Sequence, residues 1–268
     1  YENGTKGENI MKRKKVITMI TAALAFTMTV CGSSTAIAAS ELTAESKPAT
    51  QYTIDANQEV YALLDFEDTT EFENATKGLL ASPDTLDICD ENGKVVWSQT
   101  AYAFLDQDAP DTANPSLWRD TQLNHIYGLF EVTDGIYQVR GYDMSNVTFI
   151  KGDTGWIVVD PLMSVECAQA ALALVEENFG GVKGIVSEEE VQAGNVQVIA
   201  PEGFEKHAVS ENIYAGTAMG RRASYQYGTM LEGGETGSLS IGIGMGQSKG
   251  STSYISPTLE ITQTGEKH

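Results

Sequence analysis

The sequence predicts an α/β fold, and three observations carry that reading. Strand-prone runs at Ile136–Tyr142 and Val147–Ile150 are separated only by turn residues. The next run, Trp156–Val159, is continuously apolar, the pattern of a strand covered on both faces. A helical segment, Ser164–Glu177, follows it at once, and strand and helix signals alternate from there on.

Taken in order, residues 39–58 read as a polar linker: Glu41–Thr53 contains Pro48 and shows no periodicity. Tyr61–Leu80 alternates acids with Leu63, Leu64, Phe66 and Phe72, which predicts a short helix ending near Gly78. Asp87–Asp90 and Lys94–Trp97 flank Glu91-Asn-Gly93, and Asn-Gly between β-prone runs is a strong hairpin signal. Ser116–His125 is a predicted helix with Ser116 as N-cap and with Leu117 and Trp118 turned to the core. Asp160-Pro161 closes the apolar strand, placing a carboxylate at its carboxyl end. Val182–Val186 is a predicted strand. Ser187 with Glu190 three residues on forms a capping box, so a helix starts there and its acid triplet is a favourable N-terminus rather than a metal site. Val196–Ala200 reads as a strand, Phe204–Leu231 as mostly helix, and Leu259–Glu266 as a strand. Gly237–Gly250 holds five glycines but lacks the flanking strand and helix of a phosphate cradle, so a flexible loop is expected.

Composition removes several classes of function. Of 17 basic and 37 acidic residues, five and two respectively lie before residue 39, leaving 12 against 35 in the remainder. Such a surface repels nucleic acid and anionic membranes, and no nucleic-acid partner is expected. The three cysteines, Cys31, Cys89 and Cys167, form no C-x-x-C or Cys/His cluster. Cys167 lies among alanines of the predicted helix and reads as a packed core thiol, with a Cys89–Cys167 disulfide the alternative. The three histidines, His125, His207 and His268, are far apart in sequence. His125 reads as a capping or surface residue and His207 as a helix-surface one.

Residues 11–38 form a bacterial-type secretory signal. Met11-Lys-Arg-Lys-Lys15 is the positive segment, Val16–Val30 the apolar one, and Ala36-Ile-Ala38 the cleavage pattern. An exported protein, periplasmic or secreted, cleaved near Ala38 and without a later membrane span, is the expectation. Residues 1–10 read as translated leader, since Lys6-Gly7-Glu8 can be encoded by a purine run of the ribosome-binding type just before Met11.

The stretch Thr133–Asn146 followed by Gly152–Leu162 resembles the alkyl sulfatases of the metallo-β-lactamase superfamily. Asn92–Trp97, Asn114–Arg119 and Gly128–Val132 extend the likeness upstream, and Val186–Val191, Ile199–Phe204, His207–Asn212 and Arg221–Tyr225 extend it downstream. The resemblance implies an αββα sandwich over residues 59–268 and a homodimer. It also implies zinc-dependent hydrolysis of linear primary alkyl sulfates, of the dodecyl sulfate type, to alcohol and sulfate. The family holds two zinc ions, chiefly on a His-x-His-x-Asp-His loop that runs into Phe-Gly-Gly. Phe179-Gly180-Gly181 is present here, but helix residues Val175–Asn178 precede it directly. The resemblance therefore implies an internal deletion near 178/179, a chain truncated at its C-terminal end without the dimerisation region, and an incomplete sandwich. No family zinc ligand matches a position, so no metal and no catalytic residue is assigned. Asp160 alone carries over, as the carboxylate that orients the metal loop from behind. Whether the chain is an enzyme stays open on this reading; a non-catalytic exported protein binding alkyl sulfates or other amphiphiles is the alternative.

Overall fold

A computed structural model describes residues 47–181, 187–231, 234 and 237–265. The leader, the signal with its Ala38 site, Cys31, Val182–Val186 and His268 lie outside the described residues.

Thr50 caps the first helix, α1 (Gln51–Leu63), by accepting from the Thr53 amide. Part of the expected linker is therefore helical. The expectation failed because α1 buries no residue and so shows no apolar stripe for sequence to reveal. Helix α2 (Thr70–Thr76) and strand β1 (Leu79–Ala81) follow. The Asn-Gly hairpin forms as expected from β2 (Asp87–Cys89) and β3 (Val95–Ser98). Asp90 Oδ1 accepts from the Asn92 and Lys94 amides, and Gly93 supplies the left-handed φ of +79° that the turn requires. A 3-10 helix (Thr100–Asp106) leads to α3 (Pro115–Asn124). Its cap is Asn114, not Ser116, because Pro115 occupies the first helical position, where its missing N–H costs nothing. Trp118 is buried as expected, while Leu117 lies on the exposed side.

The main sheet is antiparallel throughout, in the order β1, β4 (Gly128–Thr133), β5 (Ile136–Arg140), β6 (Val147–Lys151), β7 (Trp156–Val159). One face presents Leu129, Tyr137, Val139, Val147 and Phe149, all buried. Helix α4 (Val165–Phe179) joins that core through Cys167, Ala171 and Val175, one helical stripe with no solvent exposure. Phe179 ends α4 against the sheet, its ring 4.2 Å from Tyr137 and 5.9 Å from Trp156. The chain then turns away through Gly180 and Gly181, both at positive φ. Cys89 is exposed and Cys167 buried, both as free thiols, so the disulfide alternative falls and the core-thiol reading stands.

Beyond α4, the capping box forms around Ser187 at the start of α5 (Glu188–Gln192). Strand β8 (Ile199–Pro201) pairs in parallel with β9 (Leu259–Ile261), and α6 (Phe204–Tyr227) lies between them in sequence.

One expectation is overturned in a way that matters. Trp156–Val159 is not a covered strand: Ile157, Val158 and Val159 are 61%, 45% and 48% exposed. Register shows why. Ile157 pairs with Ile150 on one face and Val158 with Phe149 on the other, but β7 is the last strand of its sheet. A buried strand leading into a helix ordinarily receives a parallel neighbour from the returning crossover, and no described strand takes that place.

The two sides of β7 predict opposite mutational behaviour. Phe149→Ala, in the core, should lower unfolding free energy by about 3–5 kcal/mol in urea denaturation. Ile157→Lys, on the free edge, should change it by less than about 0.5 kcal/mol while reducing self-association by light scattering.

Candidate functional site

The site is built where three segments leave their secondary structure: the turn after β5, the turn after β7, and the glycine-rich loop. Gly141 begins the first, at φ +75° and packed so closely on Tyr127 that a side chain there would collide with it. Its carbonyl accepts from Trp97 Nε1 and from Gln99 Nε2, both at 2.8 Å. Gln99 is fully buried, and with its amide nitrogen so engaged its Oε1 faces His125 Nδ1 at 2.8 Å. The network thereby places the proton of neutral His125 on Nδ1.

Two residues on, Asp143 is 4% exposed and saturated with donors. Oδ1 accepts from the Met144 amide at 2.8 Å and the Ser248 amide at 3.0 Å. Oδ2 accepts from the Met163 amide at 3.1 Å and Ser248 Oγ at 2.6 Å. Ser164 Oγ lies 2.9 Å from Ser248 Oγ and accepts from the Cys167 amide as the N-cap of α4. A buried carboxylate without such partners would cost several kcal/mol, so this cluster fixes all three segments together.

It also corrects the reading of Gly237–Gly250 as a flexible loop. Leu239 and Met245 are buried, Lys249 N–H donates to Val96 O, and Ser251 N–H to Glu166 Oε2. Local composition gives no sign of this, since the partners lie far upstream in sequence.

Asp160 stands apart. It is exposed at the end of β7 at φ +63°, its carbonyl accepting from the Leu162 amide across Pro161. Its carboxylate has no hydrogen-bond partner among the described residues. The structure does not bring the histidines to it. His125 caps α3, half-buried and bonded to Gln99, and His207 is exposed on α6. Among the described residues no three His, Cys, Asp or Glu side chains converge in a way that could hold a metal ion. Sequence reasoning passed over Asp143, Ser248 and Gln99; an acid and a serine in turns carry no signal until their partners are in place.

The geometry thus defines a mixed α/β scaffold whose sheet ends in an uncovered apolar strand beside a locked turn cluster. No protein-family model matches the chain. It is similar to a linear primary-alkylsulfatase from Pseudomonas sp., 46% identical over 83% of this chain and 36% of that protein. An alkyl/aryl-sulfatase of Saccharomyces cerevisiae is 43% identical over 80% of the chain and 36% of its own length. The solved structure of the stereoselective inverting sec-alkylsulfatase Pisa1 from Pseudomonas sp. superimposes with a TM-score of 0.78 at 43% identity. That match covers 84% of this chain and 38% of Pisa1. The chain is a homologue of the alkyl/aryl-sulfatase family and spans a little over a third of the length of the relatives it matches.

Two outcomes follow from the site. Ser248→Ala removes one donor to a buried carboxylate and should cost about 1–3 kcal/mol, with faster amide exchange across Gly244–Gly250. Burial holds His125 below the usual imidazole range, with the Asp106 charge opposing that shift. The unfolded chain therefore takes up a proton that folded His125 resists. Its contribution is fully present above about pH 6.5 and is lost as pH falls below it towards the lowered folded value. Urea titrations at about pH 7.5 and 5.5 should show a smaller acid loss in His125→Gln than in the parent.

Proposed function

We propose that the chain is an alkyl-sulfatase scaffold from which the metal-binding segment is missing between Asn178 and Phe179, and that it does not hydrolyse alkyl sulfates. The lineage reaction is zinc-assisted cleavage of a primary alkyl sulfate to alcohol and sulfate. Bound zinc would polarise the ester and lower the pKa of a water nucleophile.

The observation that carries the reading is β7. It is apolar on both faces, exposed on both faces, and followed by a helix that passes straight into Gly180-Gly181. The incomplete αββα sandwich proposed here accounts for that edge, since the strand and loop that would pair with it are not in the sequence. The donors present do not fit a di-zinc centre, which needs about three imidazoles and two or more carboxylates around one cavity. Among the described residues the imidazoles are only His125 and His207, on separate helices, and all four hydrogen bonds to Asp143 come from the protein itself. Asp160, in the position that would orient a metal loop, has no such loop to orient. We place the protein outside the cytoplasm, after cleavage near Ala38, on the strength of its signal sequence; N-terminal sequencing of material from culture tests that point.

Purified mature protein, dialysed after exposure to excess zinc, should retain well under one equivalent by elemental analysis and release no sulfate from dodecyl sulfate. Two tightly held equivalents with sulfate release would overturn the reading.

A further inference from the structure

Two helices, α1 and α6, bury no residue, and their exposed surfaces match each other. Tyr52 and Tyr225 are 89% exposed, Tyr214 88% and Leu63 79%. Together with Met230 these are the most exposed large apolar side chains among the described residues. Their spacing is the same on both helices. Tyr52, Ala56, Glu59 and Leu63 stand at i, i+4, i+7 and i+11, and so do Tyr214, Ala218, Arg221 and Tyr225. Each set therefore forms one stripe along its helix, and every member is exposed. The third position differs in sign, an acid on α1 and a base on α6.

The charge around each stripe follows the same division. Between Lys47 and Lys77 the chain has seven acids and no Lys or Arg, whereas Asn212–Leu231 has Arg221 and Arg222 and no acid. The acids of α6, Glu205 and Glu211, precede its stripe. In a chain of 37 acidic and 17 basic residues such an acid-free run is an exception, and neither arginine is in an ion pair among the described residues. Both helices also adjoin the same part of the fold. Asn57 of α1 donates to Asp111 O at 2.8 Å, just ahead of α3. Tyr227 and Leu231, at the end of α6, line a cleft with Asn114 and Leu117 at the start of α3.

We propose that each stripe docks on the other stripe of a second copy of this chain. Run antiparallel, the register sets Asp55 opposite Arg222, Glu59 over Ala218 and Arg221 over Ala56. Each long charged side chain then enters the space left by an alanine, and Tyr52 meets Tyr225 while Leu63 meets Tyr214. A two-fold axis makes the contact twice, α1 on α6 and α6 on α1, which closes the assembly at two chains. Two small helix contacts working against the repulsion of two acidic chains make a weak, concentration-dependent dimer. The contact uses α1 and α6 alone and stands whether or not the chain hydrolyses esters.

Sedimentation equilibrium of the mature chain tests it by charge exchange. The parent should dimerise reversibly with concentration. Arg221→Glu with Arg222→Glu, and separately Asp55→Arg with Glu59→Arg, should each raise the dissociation constant at least about tenfold. All four positions are exposed, and Arg and Glu are good helix formers, so both variants keep the fold. In an equimolar mixture of the two variants every α1–α6 contact again joins opposite charges, so the mixture should dimerise at about the parent's concentration. A parent that stays monomeric up to about 1 mM, which would leave the stripes to a different protein, overturns the proposal. So do variants that dimerise as the parent does, or a mixture that stays monomeric.

Discussion

The four hydrogen bonds received by Asp143 are the constraint on which the rest of this molecule hangs. A carboxylate removed from water is tolerable only when every oxygen is occupied, and the donors come from separate parts of the chain. Met144 lies in its own turn, Met163 before α4, and Ser248 in the glycine-rich loop. Ser164 links the same cluster to the first turn of α4, so the helix that fills the core is aligned by the residues that close the loop. The second half of the junction is Gln99, which joins the β2–β3 hairpin and His125 to the carbonyl of Gly141. Together they explain how a sheet with few covering elements keeps Leu129, Val139 and Phe149 dry.

What that junction does not do is complete the sheet. Among the described residues β7 has a neighbouring strand on one side only, and three successive apolar residues face solvent. Exposed apolar edges invite association, and proteins ordinarily cover or charge them. Here the chain spends its next fifteen helical residues on α4 and then leaves through two glycines. The carboxyl end of β7 is where Asp160 sits, at φ +63°, with no hydrogen-bond partner for its carboxylate among the described residues.

Much of this was legible from sequence where the signal is local. Asn92-Gly93 fixed the hairpin, Ser187 and Glu190 the start of α5, and the alanine-rich stripe around Cys167 the buried face of α4. Local chemistry also misled where two devices compete. Ser116 is a good cap, but Pro115 ahead of it is a better first helical residue, and Asn114 wins. The glycine-rich loop is rigidified by partners that no local window contains. The candidate site was the least legible part: Asp160 was found because it follows a strand, while Asp143, Ser248 and Gln99 matter only through contacts across the fold. The misreading of β7 is the informative one. Its sequence is that of a covered strand, yet Ile157, Val158 and Val159 are exposed and no described strand pairs with its outer edge.

The direct passage from Asn178 to Phe179 decides whether the scaffold lacks a metal-binding segment. Trypsin cleaves after Lys151 and Lys183, so the peptide Gly152–Lys183 of protein isolated from its natural source carries that junction. Tandem mass spectrometry should read Val175-Glu-Glu-Asn-Phe-Gly-Gly181 without interruption. Additional residues between Asn178 and Phe179, histidines above all, would contradict that reading and align the chain with catalytic alkyl sulfatases.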